Sequence, residues 1–412
     1  MAKKIEKEII TGLDIGTSKV IALIGEVTTD GAIEIIGIGR HPSRGLKRGV
    51  VVDIEATVNS IQRAVQEAEL MAGCEVRTVY AGIAGSHIRS LNSHGIVAIR
   101  DKEVSQADVE RVIDAAKAVA IPADQKILHV LPQEFIIDHQ GSIREPVGMA
   151  GVRLESRVHI VTGSVSAAQN IVKCVRRCGL EVNDIILEQL ASSHAVLTED
   201  EKDLGVCLID IGGGTTDIAI FCEGAIRHTA VIPIAGDQVT NDIAMALRTP
   251  TKAAESIKLN HACALTELAN SDHMLEVTSV NDRPGRKISA KTLSDVVAAR
   301  YEELFTLVRN ELRRSGFEDR MAAGIVLTGG AANVRGGIEL AELCFEMPVR
   351  KGCAHYVSGL AEATENPSFA TGVGLLLQGY QQQYESNYNV PTMNDNTQSL
   401  WARMKEWFQG NF

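Results

Sequence analysis

Hydrophobic and polar positions along the chain predict strands and helices in a regular order. Near the N-terminus, apolar runs bounded by turn residues predict four strands, at residues 9–15, 20–27, 32–39 and 76–83. Between the third and fourth of these strands, apolar residues recur at helical spacing over about residues 54–72. This order of elements is typical of a sheet that is covered by helices.

The second half of the chain repeats the same order. Its predicted strands lie at residues 205–211, 216–222 and 225–232. A helix is expected to begin after Gly236, and a later strand, residues 325–328, ends in another glycine turn. A helix at about residues 367–379 closes the predicted fold. Since matching strands end in Asp14 and Asp210, we expect two related α/β halves around a ligand cleft.

A predicted insertion separates the two halves at residues 84–160. Its predicted elements are a strand at 95–100, a helix at 105–119 and strands at about 126–138 and 156–163. At the start of the helix, Ser105 is followed three residues later by Asp108, which is close to a capping box. We therefore expect a small, separately packed α+β subdomain, whose function does not follow from its residues.

The C-terminal end of the chain differs in composition from the rest. Residues 381–398 are rich in Gln, Asn, Tyr and Ser and contain almost no aliphatic side chains, which predicts a disordered linker. In residues 399–412, which follow, large apolar side chains share an arc of about 120° on a helical wheel. These side chains are Leu400, Trp401, Met404, Trp407 and Phe408.

A short amphipathic helix on a flexible linker is typical of an interfacial membrane anchor. Tryptophan suits the headgroup boundary of a bilayer, and both tryptophans of the chain lie in this segment. The alternative is a tail that docks on the chain's own body or in a groove of a partner. We favour the membrane, to which one such helix would bind weakly, so that firm attachment would need several copies.

Composition narrows the possible functions. At 412 residues, of which 45% are apolar, the chain is long enough for several domains with buried cores. Its formal net charge of −11 argues against nonspecific nucleic-acid binding. Its eight cysteines form no CxxC pair and are typical of reduced, structural thiols in a cytosolic protein. The charged N-terminus lacks a signal peptide's apolar region, and no stretch approaches the ~20 apolar residues of a membrane span.

One short pattern with clear chemistry occurs twice. Residues 9–19 and residues 206–217 each contain an apolar strand that ends in an aspartate, a glycine turn and a hydroxyl group. Glycine lets the backbone approach a ligand closely, and N–H groups that point the same way bind anions. Because Asp14 and Asp210 would repel phosphate oxygens, we expect them to act through Mg²⁺ or its waters. Two such turns that face each other would clamp the phosphates of a nucleotide.

Several other residues have two interpretations. Lys19 contacts phosphate, which we favour, or is solvated at the start of a strand. Glu188 positions an attacking water or marks the boundary between a strand and a helix. Glu255 and Lys258, three residues apart on a helix, hold a ribose or form a surface pair. Three histidines have no second ligand at a metal spacing and are interpreted as ordinary, partly buried side chains: His129, His159 and His194.

A larger set of motifs is similar to a known superfamily. The motifs are residues 12–19 and 210–217, the turn Thr328–Ala332 and the helix with Glu255 and Lys258. Together they resemble the actin, Hsp70 and sugar-kinase ATPases. Over essentially its whole length, the chain more closely resembles one branch, the FtsA family of bacterial cell-division proteins. The resemblance implies an actin-like ATPase fold of two α/β halves, with an inserted subdomain and a C-terminal amphipathic helix.

The resemblance also implies a site for ATP and Mg²⁺. Asp14 and Asp210 would orient Mg²⁺ through water. One side of the phosphates would face Gly16, Thr17, Ser18 and Lys19, and the other side would face Gly212, Gly213, Gly214, Thr215 and Thr216. The adenosine would be surrounded by Gly236, Glu255, Lys258, Gly329, Gly330 and Ala331.

In this family the chain divides into subdomains with separate roles. The implied first core half comprises residues 1–83, 161–190 and 366–380, and the second comprises 191–225 and 303–365. Residues 226–302 would form a subdomain on the adenosine side that binds the tail of a division-ring protein. The insertion at 84–160 would contribute filament contacts and recruitment.

The implied function is structural rather than metabolic. Members of the family bind ATP, polymerise in an actin-like way, tether a tubulin-like division ring to the inner face of the membrane and recruit later division proteins. The implied partners are therefore the ring protein's C-terminal tail, later division membrane proteins, further copies of the chain and the anionic inner-membrane surface. A slow ATPase is the most that we expect. The alternatives are a sugar-kinase-type phosphotransferase, an Hsp70-like chaperone and a platform ATPase of another envelope machine, such as a pilus.

Overall fold

A computed structural model describes residues 8–280 and 285–388 of the chain, with side chains as far as residue 384. The predicted tail helix at residues 399–412 lies outside the described residues, as does the predicted linker from residue 389 onward. Within the described ranges, none of the helices combines the length and the apolar character that crossing a bilayer requires.

The strands of the described residues form three sheets and two short hairpins. In chain order they are β1 (Ile9–Ile15), β2 (Lys19–Val27), β3 (Ile33–Pro42), β4 (Leu46–Lys47), β5 (Val50–Val51), β6 (Thr78–Ile83), β7 (Arg89–Ala98), β8 (Gln125–Ile137), β9 (Gln140–Ile143), β10 (Arg153–Ser164), β11 (Glu181–Leu187), β12 (Val206–Ile211), β13 (Thr216–Cys222), β14 (Ala225–Ile232), β15 (Met274–Val277), β16 (Arg286–Ser289), β17 (Ile325–Thr328), β18 (Val349–Lys351) and β19 (Val357–Gly359).

The described residues also form eleven α-helices. In chain order they are α1 (Ile54–Ala72), α2 (Gln106–Lys117), α3 (Val165–Arg177), α4 (Glu188–Val196), α5 (Glu199–Leu204), α6 (Gly236–Leu247), α7 (Thr251–His261), α8 (Ala290–Ser315), α9 (Gly337–Phe345), α10 (Ala361–Glu365) and α11 (Ala370–Tyr388). Helix α1 matches its predicted bounds because Asp53 caps its first turn and Gly73, in the left-handed conformation, ends it.

The first sheet has the strand order β11-β6-β1-β2-β3-β19. Strands β1, β2 and β3 are antiparallel, and β6 is parallel to β1. Helices cover both faces of this sheet at very close range. A Cβ atom at Gly39 would collide with the carbonyl oxygen of Ala64 in α1, and one at Gly12 would lie 2.7 Å from the carbonyl oxygen of Gly372 in α11. Glycine at these positions therefore lets the helix backbones rest directly on the strands.

The second sheet repeats the first. Its order, β14-β13-β12-β17-β18, again places three antiparallel strands beside two parallel ones. Strand β12 corresponds to β1, and the sheet packs with α6, α8 and α9 in a separate apolar core. The prediction of two related α/β halves is confirmed.

One strand lies outside the half to which the division of the sequence assigned it. Strand β19 falls within residues 303–365, which were expected to belong to the second half, but it pairs in parallel with Ile33–Ile35 of β3 in the first sheet. The strand has three residues, and so short a segment carries no periodicity that reveals its distant partner.

The predicted linker begins too early. Helix α11 continues to Tyr388, so the prediction of disorder is wrong for residues 381–388. The polar composition suggested disorder, but some of these side chains form hydrogen bonds with residues outside α11. Gln382 Nε2 donates to Asp184 Oδ2 at 2.9 Å, and the side chain of Gln383 forms a hydrogen bond with Tyr80.

The insertion folds as a four-stranded sheet, β7-β10-β8-β9, with α2 packed on it. Ser105 and Asp108 form the full capping box at the start of α2. The first strand spans Arg89–Ala98 and so begins earlier than the predicted 95–100. Its N-terminal part was missed because Ser90 and Asn92 are polar, and these side chains bond to the carbonyl oxygens of another strand.

Candidate functional site

The two glycine turns have the same backbone construction. In the first half, Gly16 N–H donates to the carbonyl oxygen of Lys19 at 3.1 Å; in the second, Gly212 N–H donates to that of Thr215 at 3.0 Å. Each turn joins two antiparallel strands and follows an aspartate by two residues. The repeated pattern of the sequence is therefore also a repeat in three dimensions.

The two turns contact each other. A Cβ atom at Gly213 would lie 2.7 Å from Ser18 Cβ, and one at Gly214 would lie 2.6 Å from Thr17 Oγ1. Real Cβ atoms do not approach other atoms so closely, so this contact requires glycine. The halves thus meet at the residues that the sequence singled out, whereas contact of these residues with a nucleotide remains a prediction.

The aspartates that precede the turns are buried between the halves. Ser192 Oγ of α4 donates to Asp210 Oδ2 at 2.6 Å, and Thr371 Oγ1 of α11 lies 3.3 Å from the same oxygen. Burial raises the pKa of Asp14; Lys19 opposes this shift, and the charge of Asp210 adds to it. Burial also raises the pKa of Asp210. Both carboxyl groups are therefore destabilised as anions in the protein alone.

Two further carboxyl groups share this region. Glu188 is the first residue of α4, and its side chain lies over Gly82, where an added Cβ would be 3.1 Å from Glu188 Cγ. Burial, and then the charges of Asp14, Asp217 and Asp210, raise the pKa of Glu188 well above its ordinary value. Glu188 thus lies both at a strand–helix boundary and beside the site, so the two interpretations of the sequence do not exclude each other.

Asp217 is the member of this group that the sequence analysis did not single out. Thr215 Oγ1 donates to Asp217 Oδ2 at 2.9 Å, while Oδ1 is buried without a hydrogen-bond partner among the described residues. Burial, together with the charge of Asp210, raises the pKa of Asp217 to about 8. Its place two residues after the turn, inside the motif at residues 210–217, is the signal that could have identified it.

Lys19 brings positive charge to the carboxyl groups. It is partly buried, and its Nζ lies 5.7 Å from the centre of the Phe369 ring. Burial lowers the pKa of Lys19, and the neighbouring Asp14 opposes that shift. Lys19 therefore lies within the site rather than on an open surface.

Glu255 and Lys258 form an ion pair that is tied to the start of α6. Lys258 Nζ lies 2.8 Å from Glu255 Oε2 and donates to the carbonyl oxygen of Gly236 at 3.0 Å. Thr240 links the two, since its hydroxyl group bonds to both side chains. The pair is thus anchored at the edge of the cleft, where α6 begins two strands after the second glycine turn.

A cavity of about 410 Å³ opens beside this pair. Lys258, Gly330 and Ala331, three of the residues implied to surround adenosine, line it. Gly329 lies against Asp210, in a positive-φ conformation that favours glycine. The lining also includes residues that were not predicted, among them His261, His273, Tyr301, Asn333 and Arg335.

Tyr301 shows why such residues were missed. It lies on α8 among apolar residues at core spacing, which gives no sign of a cavity. Its hydroxyl group donates to the carbonyl oxygen of Ala331 at 2.8 Å and so fixes the third glycine turn.

His129 and His159 are buried and His194 is half-buried; desolvation lowers the pKa of each to about 4. His129 has a role that the sequence did not suggest. Its Nε2 accepts the N–H of Leu187 at 3.0 Å, directly before Glu188. The insertion therefore contacts the segment that positions Glu188. Over the described part of the chain, no group of three or more His, Cys, Asp or Glu side chains is arranged to hold a metal ion directly.

We expect Asp217 to make stability fall as the pH rises. An unfolded aspartate loses its proton near pH 3.9, whereas Asp217 keeps its proton up to about pH 8. Between these values the folded state binds more protons, so the free energy of unfolding decreases with pH. Asp217→Asn should flatten this decrease by up to about 1.4 kcal/mol per pH unit. Urea unfolding at pH 5, 6, 7 and 8, without nucleotide or divalent cation, measures it.

Asp295→Asn, on the exposed face of α8, is the matched control and should follow the wild-type pH dependence. Equal pH slopes for the Asp217→Asn variant and the wild type would contradict the assignment of Asp217 as a protonated buried acid.

Solved structures with the same architecture identify the fold. The PilM–PilN type IV pilus biogenesis complex matches with a TM-score of 0.65 at 17% identity, over 90% of this chain and 98% of that chain. MreB5 of Spiroplasma citri bound to ADP matches with a TM-score of 0.54 at 15% identity, over 93% and 99%. At such low identity these similarities concern the fold alone, and the predicted actin-like ATPase fold is confirmed.

Family models and curated relatives agree with each other. The model "Cell division protein FtsA" matches residues 207–374, and the model "SHS2 domain inserted in FTSA" matches residues 85–162. The FtsA protein of Pseudomonas aeruginosa is 63% identical over 100% of both chains. That of Neisseria meningitidis is 50% identical over 99% of both, and that of Escherichia coli K12 is 45% identical over 100% of both. The chain therefore belongs to the FtsA family of bacterial cell division proteins.

Proposed function

We propose that the chain is an ATP-binding, actin-like division protein that polymerises on the inner face of the membrane. There it would anchor the tubulin-like division ring and recruit later division proteins. The main support for nucleotide binding is the contact between the two glycine turns, in which Gly213 lies against Ser18 and Gly214 against Thr17. Every relative named above is described as a cell division protein, which favours this function over the kinase and chaperone alternatives.

The residues present fit Mg²⁺ and a nucleotide. Besides burial, the charge of Asp210 raises the pKa of Asp14 and of Asp217, and the charge of Asp14 adds to the shift of Asp217. Asp217 Oδ1 has no hydrogen-bond partner among the described residues. A cation would relieve this repulsion and would balance phosphate charge. Asp14 and Asp210 would hold Mg²⁺ through water, and the backbone N–H groups of the two turns would bind the phosphates.

The adenosine would occupy the cavity beside Lys258, Gly330 and Ala331. The ion pair of Lys258 with Glu255 places a carboxylate at the mouth of this cavity, suitable for accepting hydrogen bonds from a ribose. MreB5 of Spiroplasma citri, which shares the fold, is described as bound to ADP and, in a second structure, to AMPPNP.

Glu188 is the residue best placed to orient a water molecule for hydrolysis. A general base must be ionised, but burial and three neighbouring carboxylates raise the pKa of Glu188. In the chain alone, burial and these charges therefore disfavour the ionised form of Glu188 that a base requires. This supports slow turnover and a structural rather than a metabolic role.

Glu188→Gln should slow phosphate release at least about tenfold, within the range of general acid–base effects, and should leave the affinity for ATP unchanged. The amide has the same shape as the acid but takes up no proton. Single-turnover phosphate release and equilibrium ATP titration measure the two quantities. Glu181→Gln, on the exposed start of β11, is the matched control. Equal release rates in the Glu188→Gln variant and the wild type would remove Glu188 from the mechanism.

Membrane attachment is proposed from the sequence of residues 399–412. Both tryptophans lie in this segment, on the same predicted helix face as Leu400, Met404 and Phe408. Filament formation would present many such helices at once, and multivalency would turn weak single contacts into firm attachment. The membrane, the division ring and the later division proteins are thus the proposed partners.

Trp407→Glu should abolish binding to anionic liposomes, because it places a charge on the apolar face. Gln409→Glu adds the same charge outside the predicted apolar arc and is the matched control. Liposome co-sedimentation, with ATP titration alongside, separates anchoring from nucleotide binding. We expect only the first variant to lose sedimentation and both to keep ATP affinity; sedimentation of the Trp407→Glu protein would show that the anchor lies elsewhere.

A further inference from the structure

The inserted subdomain belongs to the first half by its core. Ile88 and Leu128 of the insertion are buried in an apolar cluster that consists mainly of first-half residues and also includes Ile226 of β14. His129 adds the hydrogen bond to Leu187 described above. Apolar burial on this scale makes the insertion and the first half move together.

The same subdomain reaches across to the second half through polar contacts. Ser90 Oγ donates to the carbonyl oxygen of Thr229 at 3.0 Å, and Gln133 Nε2 donates to that of Ile226 at 2.8 Å. Asn92 Nδ2 lies 3.4 Å from the carbonyl oxygen of Arg227. All three acceptors lie on β14, the edge strand of the second sheet.

His159 completes this set of contacts, which we call the strap. Its ring is 1% exposed and lies between Asn92 Oδ1, at 2.7 Å, and Thr229 Oγ1, at 3.0 Å. Since the carbonyl of Asn92 only accepts, Nδ1–H donates to it and Nε2 accepts from the hydroxyl group of Thr229. His159 thus links Asn92 of its own subdomain to Thr229 of β14 in the second half.

An ion pair extends the strap at its outer end. Arg144 Nη2 donates to Asp203 Oδ1 at 2.6 Å and to the carbonyl oxygen of Glu223 at 3.0 Å. Between the contacts lies a cavity of about 460 Å³, lined in part by Asn92, Gln133 and Arg227. The contacts of the strap are therefore polar, and they surround a cavity rather than a close-packed interface.

The strap is connected to both glycine turns, through β14 on one side and through Gly49 on the other. Strand β14 ends at Ile232, opposite Thr216 of the second turn. On the other side, the N–H of Gly49 donates to Thr17 Oγ1 at 2.9 Å, and Gly49 packs against Ala84 where the insertion begins. Ile226 lies six residues from Ile232, about 20 Å along an extended strand. Strand β14 therefore connects the strap to a glycine turn that lies up to about 20 Å away.

We propose that the inserted subdomain is a strap that holds the nucleotide cleft closed. The structure contains the strap and the contact between the turns together, so the strap bonds stabilise the closed arrangement. Opening the cleft would draw β14 away from Asn92, Gln133 and His159. Because a nucleotide that contacts both turns binds the closed form, the strap raises its affinity. This inference rests on the proposed nucleotide binding.

The test uses the full-length chain with Asn92→Ala and Gln133→Ala combined. Gln140→Ala, on the exposed strand β9, is the matched control. The double variant should bind Mg²⁺-ATP at least about fivefold more weakly, the lower end of usual coupling strengths, and the control should bind as the wild type does. Without nucleotide, hydrogen exchange at residues 14–19 and 210–216 should be faster in the double variant. By reciprocity, Mg²⁺-ATP should slow exchange in β14 of the wild type.

Wild-type affinity and wild-type exchange in a folded double variant would overturn the strap. Arg144→Ala removes the exposed ion pair with Asp203 and the hydrogen bond to Glu223. It should also weaken binding, and it decides the question if the double variant fails to fold. If the wild type itself binds no Mg²⁺-ATP, the proposed function is wrong, and the exchange rates of the nucleotide-free variants still decide whether the strap closes the cleft.

Discussion

The contact between two glycine turns is the constraint on which the rest of the structure depends. Ser18 and Thr17 occupy the space that side chains at residues 213 and 214 would fill. Any residue other than glycine would hold the halves apart. Helices α4 and α11 pack between the halves. Ser192 of α4 and Thr371 of α11 both form hydrogen bonds with Asp210. The two helices thus hold the carboxyl group next to its glycine turn.

This closeness concentrates negative charge. Asp14 comes from the first half, Asp210 and Asp217 come from the second, and Glu188 comes from the helix between them. The raised pKa values of all four show that the site is electrostatically unfavourable in the protein alone. Functional sites often contain groups whose arrangement destabilises the folded protein, as these buried carboxyl groups do. The raised pKa values therefore favour a site that binds a cation together with an anion over a site of rapid hydrolysis.

The sequence predicted what is determined locally. Each glycine-turn motif contains its own strand, carboxylate and glycines, so residues 14–19 and 210–217 could be identified without knowledge of the partner half. What depends on distant partners could not be predicted. Strand β19 is too short to show its pairing with β3, Tyr301 looks like any core residue of α8, and the polar residues of β7 make sense only beside β14.

The most direct test of the central claim is calorimetric titration of Mg²⁺-ATP into the wild type and the Gly214→Ala and Gly141→Ala variants. An added Cβ at Gly141 meets nothing closer than 3.5 Å, whereas at Gly214 it meets Thr17 at 2.6 Å. The account predicts that the wild type and Gly141→Ala bind alike and that Gly214→Ala loses at least about tenfold, or ~1.4 kcal/mol. Equal affinity in all three folded proteins would contradict it.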